Sequence, residues 1–147
     1  MKAFFQTEDA WSSLVLRMMM GLIIFPHGAQ KLLGWYGGFG FSGTMGFFTE
    51  KMGLPWIIAL LVILGESIGA LLLITGFLTR FAAMSLAVIM IGAISLVHIP
   101  NGFFMNWFGK QPGEGYEYHL LVIAICAALV LAGGGKWSVD RAIAEKL

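Results

Sequence analysis

Cysteine is nearly absent: Cys126 stands alone among 147 residues. A single thiol excludes an internal disulfide, a CxxC redox motif and a cysteine-rich zinc site. Its place inside an apolar run predicts a reduced packing side chain. Charge is scarce too. Asp, Glu, Lys and Arg make up 12% of the chain, about half the share in an ordinary soluble domain. With no basic run and a net charge of +1, the chain lacks the electrostatic footprint of a nucleic-acid binder. GxSxG, P-loop and GxGxxG motifs are missing, so the common soluble-enzyme templates have no foothold. The Gly-rich stretch GGFGFSG follows an apolar run and not a strand, which argues against a phosphate cradle.

What fills the chain instead is apolar: 59% of residues. A helix needs about 20 mostly apolar residues to cross the hydrocarbon of a bilayer. Four stretches meet this, about 11–33, 54–78, 79–99 and 117–133. They predict an all-α integral membrane four-helix bundle, a single transmembrane domain over 1–147. The N-terminal MKAFFQTEDAWSSLVLR carries Glu8 and Asp9 ahead of the apolar run and Arg17 within it. That is a poor signal peptide, so the first run is expected to be retained.

Boundary signals agree with this division. Pro55 suits a first helical turn, Gly76-Phe-Leu-Thr-Arg80 a tight helix–helix turn with Thr79 as cap, and Gly133–Gly135 a helix end. Ser138 opens a short surface helix. Two long connections, GWYGGFGFSGTMGFFTEKMG and PNGFFMNWFGKQPGEG, mix glycine with aromatic rings. Such rings favour the headgroup layer. Ser42–Met52 is expected to form a short interfacial helix, anchoring the chain or covering what lies below.

Four spans place both termini on one side. That side holds Lys2, Arg17, Arg80, Lys136, Arg141 and Lys146, against Lys31, Lys51 and Lys110 opposite. The basic excess predicts cytoplasmic termini.

The few polar residues within the spans are informative because each is costly there. At 1.5 Å of rise per residue, His27, His98 and His119 all fall in the outer half of the bilayer. Lys31, Asn101, Tyr116, Glu117 and Tyr118 join them, predicting a polar pocket open to the outer side. On the first span Arg17, His27 and Lys31 share one sector, within about 80°, which should face the bundle. Pro26 beside His27 frees the Leu22 carbonyl. Glu66 lies midway down the second span, and Arg17, roughly level with it, is the expected partner of a buried ion pair. Gly65 and Gly69 would let a helix come close.

The histidines leave several chemistries open. They could form a structural hydrogen-bond network, or a quinone site in which His and Tyr bond the carbonyls. His27, His98 and His119 could also hold a metal ion, or a pair of them haem iron. No HxxxH spacing favours metal. The nine methionines read more simply as packing than as copper ligands.

Taken in order, LIIFPHGAQKLLG, GESIGALLLITGFLTRFAA, LVHIPNGFF and GYEYHLLVIA resemble the DoxX family over nearly the whole chain. The resemblance implies a small four-helix bacterial inner-membrane protein, related to subunits of a thiosulfate–quinone oxidoreductase, in a family some of whose members serve membrane redox complexes. Its pattern falls on Pro26, His27, Gly28, Lys31, Glu66, Thr79, Arg80, His98, Asn101, Gly102, Tyr116, Glu117 and His119. It implies a quinone-linked or redox-associated subunit but leaves the cofactor open, with quinone the first candidate ahead of haem or metal, and such a subunit would need a bound cofactor or an oxidoreductase partner. The alternative is a non-catalytic accessory or assembly protein, or a small-solute or proton carrier. The bilayer is the expected surrounding, and bare apolar faces are compatible with a homodimer.

Overall fold

A computed structural model describes residues 2–147, and the described residues form helices joined by turns and loops, without strands. Four long helices make the body: α2 (Trp11–Leu33), α4 (Trp56–Thr75), α5 (Thr79–Ala93) and α6 (Glu117–Ala132). Short helices α1 (Lys2–Phe5), α3 (Gly40–Gly46) and α7 (Val139–Ala144) flank them. α3 runs on into a wider π-helical turn, Phe47–Lys51, and α5 into another, Ile94–His98, followed by a 3₁₀ turn, Ile99–Asn101.

Among the described residues three helical stretches are long and apolar enough to cross a membrane: Trp11–Leu33, Trp56–Thr75 and Thr79–Asn101. The fourth, Glu117–Ala132, is apolar but shorter. Large apolar side chains such as Val15, Leu61, Val88 and Leu131 stand exposed around the bundle, which suits lipid contact and not water.

The helices pair antiparallel, α2 with α4 and α5 with α6. Two glycines on α2 set the first register. A Cβ on Gly21 would lie 2.8 Å from the Ala70 carbonyl oxygen, and one on Gly28 2.6 Å from Ser67 Cα. Backbones approach this closely only where the side chain is missing. Ser67 Oγ then donates to the Gly28 carbonyl at 3.1 Å. At Gly65 and Gly69 the neighbours are the side chains of Ile89 and Leu86, so the close backbone contact lies on α2 and not at the expected pair. The core joins both pairs, with Ile24, Leu73, Ala83, Leu86, Cys126 and Leu129 almost fully buried.

The helix termini follow the sequence with one exchange of roles. α2 passes unbroken through Pro26. Gly34 and Gly133, both at positive φ, close α2 and α6, and Ser138 caps α7 by accepting from the Arg141 amide. α3 begins at Gly40 without a side-chain cap from Ser42. Thr79 is not the cap of α5. Its hydroxyl has no partner, and the Leu78 and Thr79 amides donate to Asp140 of α7 at 2.7 and 2.8 Å. A carboxylate meets the positive end of a helix better than a hydroxyl does.

α7 also closes the end of the bundle that carries the termini. Arg141 bonds Asp9, and Glu145 at 2.9 Å. Glu145 first, then Asp9, hold its guanidinium above its ordinary pKa. The segments 34–55 and 102–116 lie together at the opposite, loop end.

Candidate functional site

α4 and α5 touch near their shared turn, where Leu86 meets Gly69, and a groove opens between them toward the loop end, where a Cβ on Gly92 would find nothing within 4 Å. The cavity measures about 1150 Å³. Its flanks are apolar and exposed, among them Leu61 and Ile68 on α4 and Phe81, Met84 and Val88 on α5. The groove therefore faces the lipid side of the bundle.

Polar groups enter it from behind, on α2, α4, α6 and the π-helical turn that continues α5. His27, Lys31, Glu66, His98, Tyr118 and His119 all line it, with Glu114 at the mouth. Lys31 Nζ lies 2.5 Å from Glu66 Oε2, with side chains 24% and 8% exposed. That pair neutralises the charge a lipid-facing carboxylate could not carry alone.

Glu66 is thus not paired with Arg17. The fully buried Arg17 donates to backbone carbonyls: Nε to Gly134 at 2.8 Å, Nη1 to Leu73 and Ile74 at 3.2 and 2.6 Å, and Nη2 to Lys136 at 3.1 Å. The register set by Gly21 and Gly28 slides α2 along α4, so Arg17 meets the C-terminal carbonyls of α4, where a cation is favoured. Counting depth from span ends misses that shift. Arg80 does similar work, donating to the Val130, Leu131 and Gln6 carbonyls.

The imidazoles divide. His98 and His119 stack with ring centroids 4.0 Å apart and planes tilted by 42°. His98 Nδ1 donates to the Glu114 carbonyl at 2.8 Å; a carbonyl only accepts, so in the neutral ring Nε2 is the nitrogen with the lone pair. His119 is 8% exposed, and its Nδ1 is buried without a partner. The Tyr118 hydroxyl is buried and unpartnered as well. His27 is an exposed residue on the groove wall, so of the polar sector on α2 Arg17 faces the bundle core and His27 the groove.

These positions do not suit the metal reading of His27, His98 and His119. Among the described residues no group of three or more His, Cys, Asp or Glu side chains is placed to hold a metal ion. Two rings stacked at 4.0 Å also leave no room for a porphyrin between them. Cys126 is buried in the core.

Asn101, Tyr116 and Glu117 lie apart from the groove and shape the loop above it. Glu117 Oε1 accepts from the Met105 amide at 3.0 Å, Asn101 Nδ2 donates to the Glu114 carbonyl at 3.1 Å, and the Tyr116 ring packs on Phe103. Glu114, which sequence reading passed over, ties loop to groove: its carboxylate accepts from the Asn106 amide at 2.7 Å while its carbonyl holds His98. Its sequence signal is faint, an acidic residue shortly before a span.

The family model DoxX matches residues 12–99, from α2 to the 3₁₀ turn after His98. A Bacillus subtilis protein named "Putative oxidoreductase CatD" is 33% identical over 117 residues, covering 80% of this chain and 77% of that protein. "Inner membrane protein YqjF" of Escherichia coli is 30% identical over 133 residues, covering 90% and 92%. An "Uncharacterized membrane protein" of Mycobacterium tuberculosis is 28% identical, covering 95% and 85%. No solved structure matches. With the family model over more than half its length and relatives of like size aligned through most of theirs, the chain belongs to the DoxX family of membrane proteins.

Proposed function

We propose that the groove between α4 and α5 binds a lipid-soluble quinone, and that the protein is a quinone-linked subunit of a membrane redox system. One observation carries the reading: the Tyr118 hydroxyl and His119 Nδ1 are buried and unpartnered on the wall of a groove open to lipid. Buried polar groups normally have partners, so two vacant ones on one wall favour a ligand that supplies them. The groove's strongest charges, Lys31 and Glu66, already satisfy each other, which favours an uncharged head over a fatty acid or phosphate. Apolar flanks suit an isoprenoid tail. A quinone combines a neutral ring, hydrogen-bonding oxygens and such a tail.

In this reading the ring lies against the wall that Tyr118 and His119 form together, His27 flanks it, and the Lys31–Glu66 pair forms the floor. A bound quinone would supply the electron chemistry; the chain's residues position it and hold protons. Electrons come from a partner oxidoreductase subunit, in keeping with the name of the Bacillus relative.

The same proposal includes four spans in the bacterial inner membrane with both termini cytoplasmic. α6 supplies about 24 Å at 1.5 Å per residue, short of the roughly 30 Å hydrocarbon. A short span is accommodated by local thinning of the bilayer. A through-going carrier path is opposed by Arg17, whose guanidinium binds carbonyls of α4 and of the segment after α6 at the termini end.

The test is titration of the purified protein in lipid nanodiscs with a benzoquinone bearing a ten-carbon tail, followed by tryptophan fluorescence. Saturable quenching is expected, weakened at least tenfold in Tyr118→Phe with His119→Leu. Linear, non-saturable quenching that the double variant leaves unchanged would refute the reading.

A further inference from the structure

The stacked imidazoles give the groove a polar exit in one direction. His119 faces the groove with a vacant, buried Nδ1. Its ring lies against His98, which is half-buried and reaches the loop through the Glu114 carbonyl. Glu114 itself is exposed at the loop end. From the groove wall to the surface, polar groups thus follow one another without an apolar break. Toward the termini end the continuation is Leu73, Leu86, Cys126 and Leu129, all fully buried; Ser67 there is bonded to the Gly28 and Ile63 carbonyls, the Thr79 hydroxyl has no hydrogen-bond partner, and Arg17 is occupied by carbonyls.

We infer that His98 and His119 form a proton relay joining the groove to the aqueous phase at the loop end of the bundle. The bonding of His98 suits the task. Its Nδ1–H is committed to a carbonyl, which leaves Nε2 free to accept. At the observed ring separation a nitrogen of His119 comes within a direct or one-water hydrogen bond of it after rotation of a ring, the reach proton transfer requires. A proton leaving His119 is taken by His98 Nε2, and His98 releases the Nδ1 proton to water at the loop surface. Inward transfer reverses these steps, and no electrons move. The other titratable groups facing His119 are His27 from α2, the Lys31–Glu66 pair from α2 and α4, and Tyr118 on its own helix. Lys31 and Glu66 are engaged with each other, and His27 stands on the lipid-facing wall, so none offers a second wet exit.

The relay serves the quinone site if that reading holds, because a quinone takes up or yields protons as it changes redox state, yet it is observable without any ligand. The experiment is nitrogen-15 NMR of imidazole-labelled protein in nanodiscs, reading the rate of proton exchange at the His119 ring. His98→Gln, which keeps a donor for the Glu114 carbonyl, and His98→Phe, which keeps only the ring, should each slow His119 exchange at least tenfold. The His27 ring signals should stay in place. Unchanged exchange in both variants overturns the relay, as does equal slowing in His27→Phe, which would put the exit on the lipid-facing side. Titration with the same ten-carbon-tailed benzoquinone separates the two ideas. Slowed exchange without quinone binding by the wild type keeps the relay and removes the quinone. Quinone binding with unchanged exchange in His98→Gln does the reverse.

Discussion

Lys31 holds Glu66 at 2.5 Å, and the Leu73 carbonyl bound by Arg17 lies roughly 10 Å farther along α4 at 1.5 Å of rise per residue. The polar interior is therefore two sites and not one. Near the loop end an ion pair floors a groove; near the termini a guanidinium gathers helix-end carbonyls. The first concerns ligand and charge, the second fixes how the helices meet.

Removing one member of a buried ion pair strands the other, at a cost of about 3–5 kcal/mol. Glu66→Gln and Lys31→Met should each lower stability on that scale. The double variant should recover much of the loss, because an uncharged pair leaves no stranded charge. Unfolding in detergent followed by circular dichroism gives the coupling energy from the four proteins. A coupling near zero would mean that the contact contributes nothing.

Arg17 offers a different contrast. Its fork reaches four carbonyls, a geometry a lysine ammonium cannot reproduce. Arg17→Lys keeps the charge and should still cost roughly 3 kcal/mol, since stranded buried acceptors are each worth about 1–3 kcal/mol. Equal stability of the two proteins would show that charge alone suffices there.

Much of this was legible in the sequence. Apolar runs gave the long helices within a few residues, Gly133 marked the end of α6 and Ser138 the start of α7, and of the expected pocket residues His27, Lys31, His98, Tyr118 and His119 line the groove. Legibility failed where register decides. Nothing local in LLVILGESIGALLL says which cation Glu66 meets, because that depends on how far Gly21 and Gly28 let α2 slide. Asp140 capping α5 was equally hidden: the partners are far apart in sequence, and Thr79 was the better local candidate. Asn101, Tyr116 and Glu117 share depth with the groove but point into the loop, a distinction of angle that depth cannot supply.

The Gly28 contact can be tested against a glycine under no such constraint. A methyl group at Gly28 would sit 2.6 Å from Ser67 Cα, whereas one at Gly92 meets nothing within 4 Å. Gly28→Ala should force α2 from α4 and cost about 1–3 kcal/mol. Gly92→Ala should be neutral or gain up to about 1 kcal/mol from helix propensity. Thermal melting of both variants decides, and equal melting temperatures would contradict the assigned register.

Asp140 serves two amides at the start of α5. Asp140→Ala should cost about 1–2 kcal/mol, the usual scale for losing a cap. Asp140→Asn keeps one acceptor oxygen and should lose less. Hydrogen exchange at the Leu78 and Thr79 amides reports the site directly, with faster exchange in the alanine variant. Equal protection in all three proteins would place the cap elsewhere.

The open space beside Gly92 also gives the sharpest test of the groove as a binding site. Gly92 lines it, carries no polar group and makes no hydrogen bond to Lys31, Tyr118 or His119, so a large side chain there changes volume and leaves the chemistry in place. Gly92→Trp should fill the space between α4 and α5 at the loop end and lower affinity for the tailed benzoquinone at least tenfold. Because the space is empty and faces lipid, melting should shift little, by about 0.5 kcal/mol or less, the ordinary range for a substitution that meets no packed neighbour. Full affinity in a normally folded Gly92→Trp protein would put the quinone outside this groove, whatever Tyr118 and His119 do. Lost affinity with intact folding would place the tail between the two helices, because no other wall of the cavity is altered.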